Sequence, residues 1–307
     1  MFEIVNTQLP YDYCRLCEDV KVLCENFPAL AYTLPGRTRK GSGLYLLTLG
    51  RGEKKIFLNG GHHGMEWVTS LWLMAYTESI LHHQEQKEAF FGVDISMLFQ
   101  NLQIFMMPMV NPDGIELALH GAKEEEQDYA VLFAYNKNSP DFSSWQANAG
   151  GIDLNHNYDA GFEKAKAMEQ SHGITGPGRT RYGGEFAFCE PETQVIKELL
   201  EKHTFALCIA YHSQGEVIYY DYLGRVPQGS RELVKIYSAF SGYQPDYVEG
   251  IASYGGFKDY VIHKYNTPAL TIELGSGTNP LPLSQFASIF LKNARGLTKT
   301  LEQIAQG

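Results

Sequence analysis

Apolar residues recur at helical spacing over residues 11–26, over 67–82 (WVTSLWLMAYTESILH) and from Ser284 to the end, and these three stretches are predicted helices. A fourth is expected at roughly 190–203, where Pro191 suits a first turn. Between them lie short apolar runs with a different rhythm. Lys54 to Asn59 reads as a strand entering the Gly60-Gly61 turn, followed by His62 and His63. Leu102 to Val110 is nearly continuous in apolar residues, the mark of a strand covered on both faces. It ends in Asn111-Pro112-Asp113-Gly114, a turn sequence. Phe205 to Tyr211 is an apolar strand ending at His212, and Thr267 to Leu274 is another, with Glu273 near its end. Strands alternating with helices predict an α/β fold with a mixed, largely parallel central sheet and helices on both faces. In such sheets ligands collect beyond the carboxyl ends of the strands. His63, Asn111, His212 and Glu273 all fall at predicted strand ends, so one rim is expected to gather them.

Residues 121–128 (GAKEEEQD) are a charge run, read as a solvated face or loop. From about 136 to 190 the chain is rich in Gly, Asn, Ser and aromatics with weak periodicity. That is too long for an ordinary connection and is expected to form functional loops. No repeat, low-complexity tract or linker interrupts residues 1–307, so a single domain is expected.

A hydrophobic fraction of 44% with 20% charged residues supports a sizeable buried core. The net charge of −10, without any basic run, argues against nucleic acid and against anionic membrane as partners. It leaves room for a cationic or zwitterionic small substrate. No stretch approaches the length of an apolar span. The N-terminus, MFEIVNTQLPYDYC, has neither a basic region nor an apolar segment of the secretory kind, so a cytoplasmic protein is expected. Five cysteines do not look like a disulfide framework. Cys14, Cys17 and Cys24 interleave with Leu16, Val20 and Leu23 on a helix and are expected as buried core thiols rather than a metal or redox site.

Catalytic zinc takes three protein ligands and keeps one position open. A His-x-x-Glu pair with a distant histidine is one way to supply them. His63-Gly64-Met65-Glu66 is such a pair at a strand-to-helix corner, and His212 is a distant histidine at a strand end. Taken alone, the short pair reads more readily as a solvated His and Glu, and His62 competes with His63, though it leaves Glu66 at i+4.

Five motifs narrow the choice: GGHHGMEW, NPDG, GIDLNHNYDAGF, YHSQG and TIELG. They stand in the order found in zinc carboxypeptidases of the carboxypeptidase A type, which the chain resembles from about residue 40 to 290. Within that superfamily, YHSQGEVIYY (211–220), YGGFKDY (254–260) and TIELGSGTNPLPLSQF (271–286) look most like bacterial γ-D-glutamyl-diaminopimelate endopeptidases, which cut peptides of peptidoglycan. The resemblance implies one zinc ion per chain on His63, Glu66 and His212, with Glu273 as general base and later acid. Zinc polarises the scissile carbonyl and makes water acidic, toward a pKa of ~7. A carboxylate within reach takes the proton and returns it to the leaving amine. Glu273 also stands in an otherwise apolar strand, where a carboxylate is costly unless it has a partner.

Several positions depart from that pattern. Carboxypeptidases hold the substrate's terminal carboxylate with an arginine after the asparagine of this motif, whereas Asn155 is followed by His156. Imidazole lacks the two-donor fork of guanidinium, so a strict need for a free C-terminus is not expected. The cation that stabilises the oxyanion aligns with Gln146, whose amide donates without charge; Arg179 and Arg181 are alternatives from the long loop. Met65 replaces a further arginine. Ile251 lies where a mobile tyrosine is expected, with Tyr254 as a replacement donor or a packing residue before Gly255-Gly256. The expected protein is a zinc metallopeptidase cutting short peptides, muropeptides above all, with Asn155 and His156 orienting the acidic end. The alternatives are a metallocarboxypeptidase with an unusual carboxylate pocket and a non-catalytic zinc-dependent binding protein.

Overall fold

A computed structural model describes residues 2–247 and 250–307, the side chains of residues 251 and 252 excepted. The chain opens with α1 (Tyr13–Asn26) and the hairpin β1 (Leu30–Arg37) and β2 (Gly43–Leu49). Then come β3 (Lys54–Gly60), α2 (Val68–Gln86), a ribbon of β4 (Ala89–Phe90) and β5 (Val93–Asp94), α3 (Ile95–Asn101), β6 (Leu102–Met107) and α4 (Pro112–His120). α5 (Tyr129–Tyr135), α6 (Phe162–Ser171) and α7 (Pro191–Lys202) lead to β7 (Phe205–His212) and β8 (Val217–Tyr219). α8 (Ser230–Ser241), β9 (Gln244–Asp246), α9 (Phe257–Tyr265), β10 (Ala269–Glu273) and α10 (Phe286–Gln306) complete it.

Eight strands form one sheet in the order β1-β2-β6-β3-β7-β10-β8-β9. The middle four, β6, β3, β7 and β10, are parallel; β2 joins β6 and β8 joins β10 antiparallel, with β1 antiparallel to β2 and β9 parallel to β8 at the edges. Alternation along the middle strands explains their unbroken apolar sequences. Ile56 and Leu58, Ile104 and Met106, Leu207 and Ile209, and Leu270 and Ile272 face the core shared with α2 and α10. Phe57, Phe105, Cys208 and Ala269, at the alternate positions, face a second core under α7 and α9. Both faces are dry, so no polar residue marks the pleat.

The register sets the functional rim. Gly60 pairs with Tyr211, and Glu273 with His212, so the carboxyl ends of three parallel strands finish together. Beyond them the Asn111 motif is not a free turn. Asn111 Oδ1 accepts from Gly114 N at 2.9 Å, Pro112 fills the first helical position, and α4 follows at once. The same residues serve tight turns and helix starts, and here the helix wins. The cysteine expectation also needs correction, since Cys14 is exposed and Cys17 and Cys24 are only half-buried. The buried stripe of α1 is Leu16, Val20 and Leu23, and at 100° per residue the cysteines drift to its edge and beyond. The 136–190 stretch holds one ten-residue helix, α6, and is otherwise largely irregular. Among the described residues no helix is long and apolar enough to cross a membrane.

Candidate metal centre

β3 ends at Gly60, and the φ of 67° at Gly61 turns the backbone out of the sheet. The extended residues that follow send His62 and His63 to opposite sides. His62 is buried, with Nε2 2.9 Å from Tyr158 Oη and its ring stacked on His212. Burial, then the neighbouring His212, holds its pKa well below the ordinary value, so it stays neutral. His63 points into the rim, beside Glu66 and His212.

His63 Nδ1 lies 2.9 Å from Glu66 Oε1, and His212 Nδ1 lies 3.0 Å from Glu66 Oε2. The three ligand atoms fall within 4.8 Å of one another. The corner that carries Glu66 is clamped from below. Gly64 N donates to Gln146 O at 3.0 Å, Met65 N to Trp145 O at 2.8 Å, and Thr69 Oγ1 to Glu66 O at 2.8 Å. A Cβ on Gly64 would lie 2.2 Å from the Gly114 carbonyl oxygen, so only glycine fits there.

Proton bookkeeping tests whether these residues suit a metal. His63 Nε2 lies 3.2 Å from Asp153 Oδ1, an acceptor, so the proton of a neutral imidazole belongs on Nε2. Nδ1 then presents a lone pair to the Glu66 carboxylate. His212 aims its Nδ1 at the same carboxylate, and Ser213 N already donates to Glu66 Oε2 at 3.2 Å. Burial raises the Glu66 pKa, but the two imidazoles outweigh it and bring the carboxyl down to about 2. Burial alone would lower the His63 pKa, but Glu66 and Asp153 outweigh it and raise it well above the ordinary value, so the metal-free cluster draws positive charge, here a proton, to the place a cation would take. Two histidines and one glutamate are the donor set of a catalytic zinc site, and the residues fit it. A second group, Asp12, Glu116 and His120, lies toward the surface. Its carboxylates are engaged in capping α1, through Arg15 N and Tyr13 N.

Asp153 is the residue that sequence reasoning missed, although it lies inside a quoted motif. Its Oδ2 accepts Arg181 N at 2.9 Å and its Oδ1 accepts Asn155 N at 3.2 Å, so the loop itself fixes the carboxylate that orients His63. Burial opposes its ionisation, but His63 and His156 hold its pKa below the usual carboxylate range.

Glu273 ends β10 beside His212. Burial, then the Glu66 charge, pushes its carboxyl well above the ordinary value. It lines a cavity of about 180 Å³ with Thr271, Tyr219, Asn155, Lys258 and Asp259 among its other walls. Asn155 Oδ1 accepts Phe257 N at 3.0 Å, which ties the Asn155 loop to α9. His156 is buried, its Nδ1 has no partner among the described residues, and its carbonyl is packed under Gly183 and Gly255. Gln146 is half-buried; Thr180 Oγ1 donates to its Oε1, which leaves the amide NH₂ as the available donor. Arg179 holds the Gln146 and Ala147 amides through its carbonyl and points a guanidinium nitrogen at Ser144 Oγ, 3.2 Å away. Tyr254 packs beside Gly161 with Lys164 over its ring and is not among the cavity walls. The Ile251 side chain lies outside the described residues.

Comparison with known proteins agrees with this geometry. A family signature described as zinc carboxypeptidase matches residues 18–305. The γ-D-glutamyl-L-diamino acid endopeptidase 1 of Lysinibacillus sphaericus is 34% identical over 289 residues, covering 94% of this chain and 72% of that protein. The crystal structure of thrombin-activatable fibrinolysis inhibitor superposes with a TM-score of 0.74 at 15% identity, covering 98% of this chain and 76% of the other. The murein-tripeptide amidase of Escherichia coli O157 superposes at 0.53 with 18% identity, covering 89% and 92%.

Proposed function

Because the chain belongs to the zinc carboxypeptidase family and is a zinc metallopeptidase by that membership, we propose that it hydrolyses the bond between γ-D-glutamate and a diamino acid in short, cell-wall-derived peptides. The observation that carries the reading is the register of β10 on β7, which sets Glu273 beside the His63, Glu66 and His212 cluster.

In this reading one zinc ion per chain is held by His63, Glu66 and His212; when bound, it supplies a Lewis acid for the scissile carbonyl and makes water acidic. Asp153 keeps His63 in the tautomer that leaves Nδ1 free. Glu273 takes a proton from the attacking water and returns it to the leaving nitrogen. The Gln146 amide donates to the carbonyl oxygen as charge builds on it. Asn155 stands in the cavity wall where the substrate's polar groups would rest, and His156 lies behind it.

The substrate class is supported by the name of the 34% identical relative and by His156, which lacks the two-donor fork that would hold a free C-terminal carboxylate. The reading includes action on muropeptide fragments in a bacterial cytoplasm by one catalytic unit, which cell fractionation would test.

The direct test is mass-detected chromatography of zinc-loaded protein with L-Ala-γ-D-Glu-diaminopimelate, with Glu273→Gln alongside. Cleavage at the γ-D-glutamyl bond, lost in the variant while zinc stays bound, is the expected result. Cleavage of ordinary C-terminal residues, abolished when the substrate is amidated, would replace the reading by a metallocarboxypeptidase. Ligand binding with no product from any peptide would replace it by a binding protein.

A further inference from the structure

The cavity beside Glu273 carries charge that the hydrolytic chemistry does not use. Lys258 and Asp259, neighbours in the first turn of α9, are each only 4% exposed, yet both line it. Lys258 Nζ donates to Asp259 Oδ1 and to the Asp221 carbonyl oxygen. An ammonium has three protons, and Lys258 Nζ uses two of them on these acceptors, which leaves one for the cavity it lines. Taking an ammonium and a carboxylate out of water costs several kcal/mol per ion, and a well-packed apolar pair would often serve a purely structural purpose as well.

We propose that Lys258 and Asp259 make this cavity a receptor for an amino-acid head group, an ammonium and a carboxylate on one carbon, at the tip of the residue that leaves with the amine. The inference rests on the reading of Glu273 as the proton donor to the leaving nitrogen, since that role puts the leaving residue next to it. A cavity of about 180 Å³ is several times the ~30 Å³ share of one water molecule and has room for a branched polar tip. Phe257 offers an apolar wall to the methylene stem, while Tyr219 and Thr271 add hydroxyl groups near the charges. Exclusion matters as much as attraction. A side chain ending in an ammonium alone meets the Lys258 charge, and one ending in a carboxylate alone meets Asp259. Only a tip with both signs answers both walls. Burial leaves the Asp259 carboxyl above its ordinary value although the neighbouring Lys258 charge pulls it down.

The test is calorimetric binding to the zinc-loaded protein of three probes: diaminopimelate, L-lysine, which lacks the second carboxylate, and 2-aminopimelate, which lacks the second ammonium. Diaminopimelate should bind at least about tenfold tighter than either, the worth of one charge-assisted hydrogen bond. In the Lys258→Met/Asp259→Asn double variant, which leaves no lone charge buried, that preference should disappear. A melting curve confirms that the variant is folded, and the wild-type comparison stands without it. Equal binding of diaminopimelate and lysine, no detectable diaminopimelate binding at millimolar concentration, or a preference that survives in a folded double variant would overturn the proposal. Cleavage of γ-D-glutamyl peptides ending in diaminopimelate or lysine separates the two readings. Selective binding without cleavage refutes the proposed substrate and supports the receptor. Equal cleavage of both peptides does the opposite.

Discussion

Glu192 gives the sharpest test of the electrostatics. It sits in the first turn of α7, fully buried, and neither carboxylate oxygen has a hydrogen-bond partner among the described residues. The groups that face it are themselves committed. Arg39 spends its fork on Glu190 at 2.6 Å on both nitrogens, Asn148 Nδ2 donates to Glu190 at 2.6 Å, and Asp113 is held by Ser42 Oγ at 2.8 Å. Burial first, and then the Glu190 and Asp113 charges, push the Glu192 carboxyl up from 4.5 to about 8. Below pH 4.5 the group is protonated folded and unfolded, and it costs nothing. Between 4.5 and 8 the unfolded chain releases the proton while the folded one keeps it, so stability falls as pH rises, and it levels off above 8. At about 1.4 kcal/mol per unit, the loss reaches about 5 kcal/mol. Glu192→Gln has no proton to lose. Urea unfolding of both proteins at intervals from pH 4.5 to 8.5 should show the variant gaining on the wild type by several kcal/mol across that range. Any constant offset reports only how the amide packs. A difference that stays flat with pH would refute the argument, because it would mean that Glu192 ionises in the folded protein as it does in water.

Three further outcomes follow from the site. Asp153→Asn should weaken zinc binding by about 10–100-fold in chelator competition, since the charge behind the His63 imidazole is lost and one of the two accepting oxygens, facing His63 Nε2 or Arg181 N, becomes a donor NH₂. Gln146→Leu should lower kcat by about 10²–10³ with little change in zinc content, and an unchanged kcat would move the oxyanion donor elsewhere, to Arg179 or Arg181 first. Gly64→Ala drives a methyl group to within 2.2 Å of Gly114 O and should cost about 1–3 kcal/mol in stability, together with part of the zinc affinity, because the Glu66 corner must shift; a variant with wild-type melting and metal content would show that the clamp gives way freely.

How far the sequence could be read depended on whether a residue's surroundings were local. β3, β6, β7 and β10 were legible because both faces of each are buried, so their inner positions are almost all apolar and each run ends abruptly in polar residues. That abrupt end is also why His63, His212 and Glu273 stood out. β1 was not legible: as an edge strand it buries only Leu30, and its remaining residues carry no alternation. Choosing between His62 and His63 needed the backbone direction after Gly61, which no spacing rule supplies. Asp153 comes from a loop some ninety positions beyond His63 and meets it only through the fold. The Lys258-Asp259 pair is the most instructive failure. A lysine next to an aspartate in a short helix ordinarily means a solvated face, and the apolar residues around them give no reason to think otherwise. The fold overrides that expectation by bringing Asn155 and β10 over the start of α9, so two charges that look external become the wall of a cavity. Residues that set chemistry sit at strand ends, where the break in pattern advertises them. The two residues proposed to read the leaving group break the rule of exposure itself, and only the assembled rim brings them together.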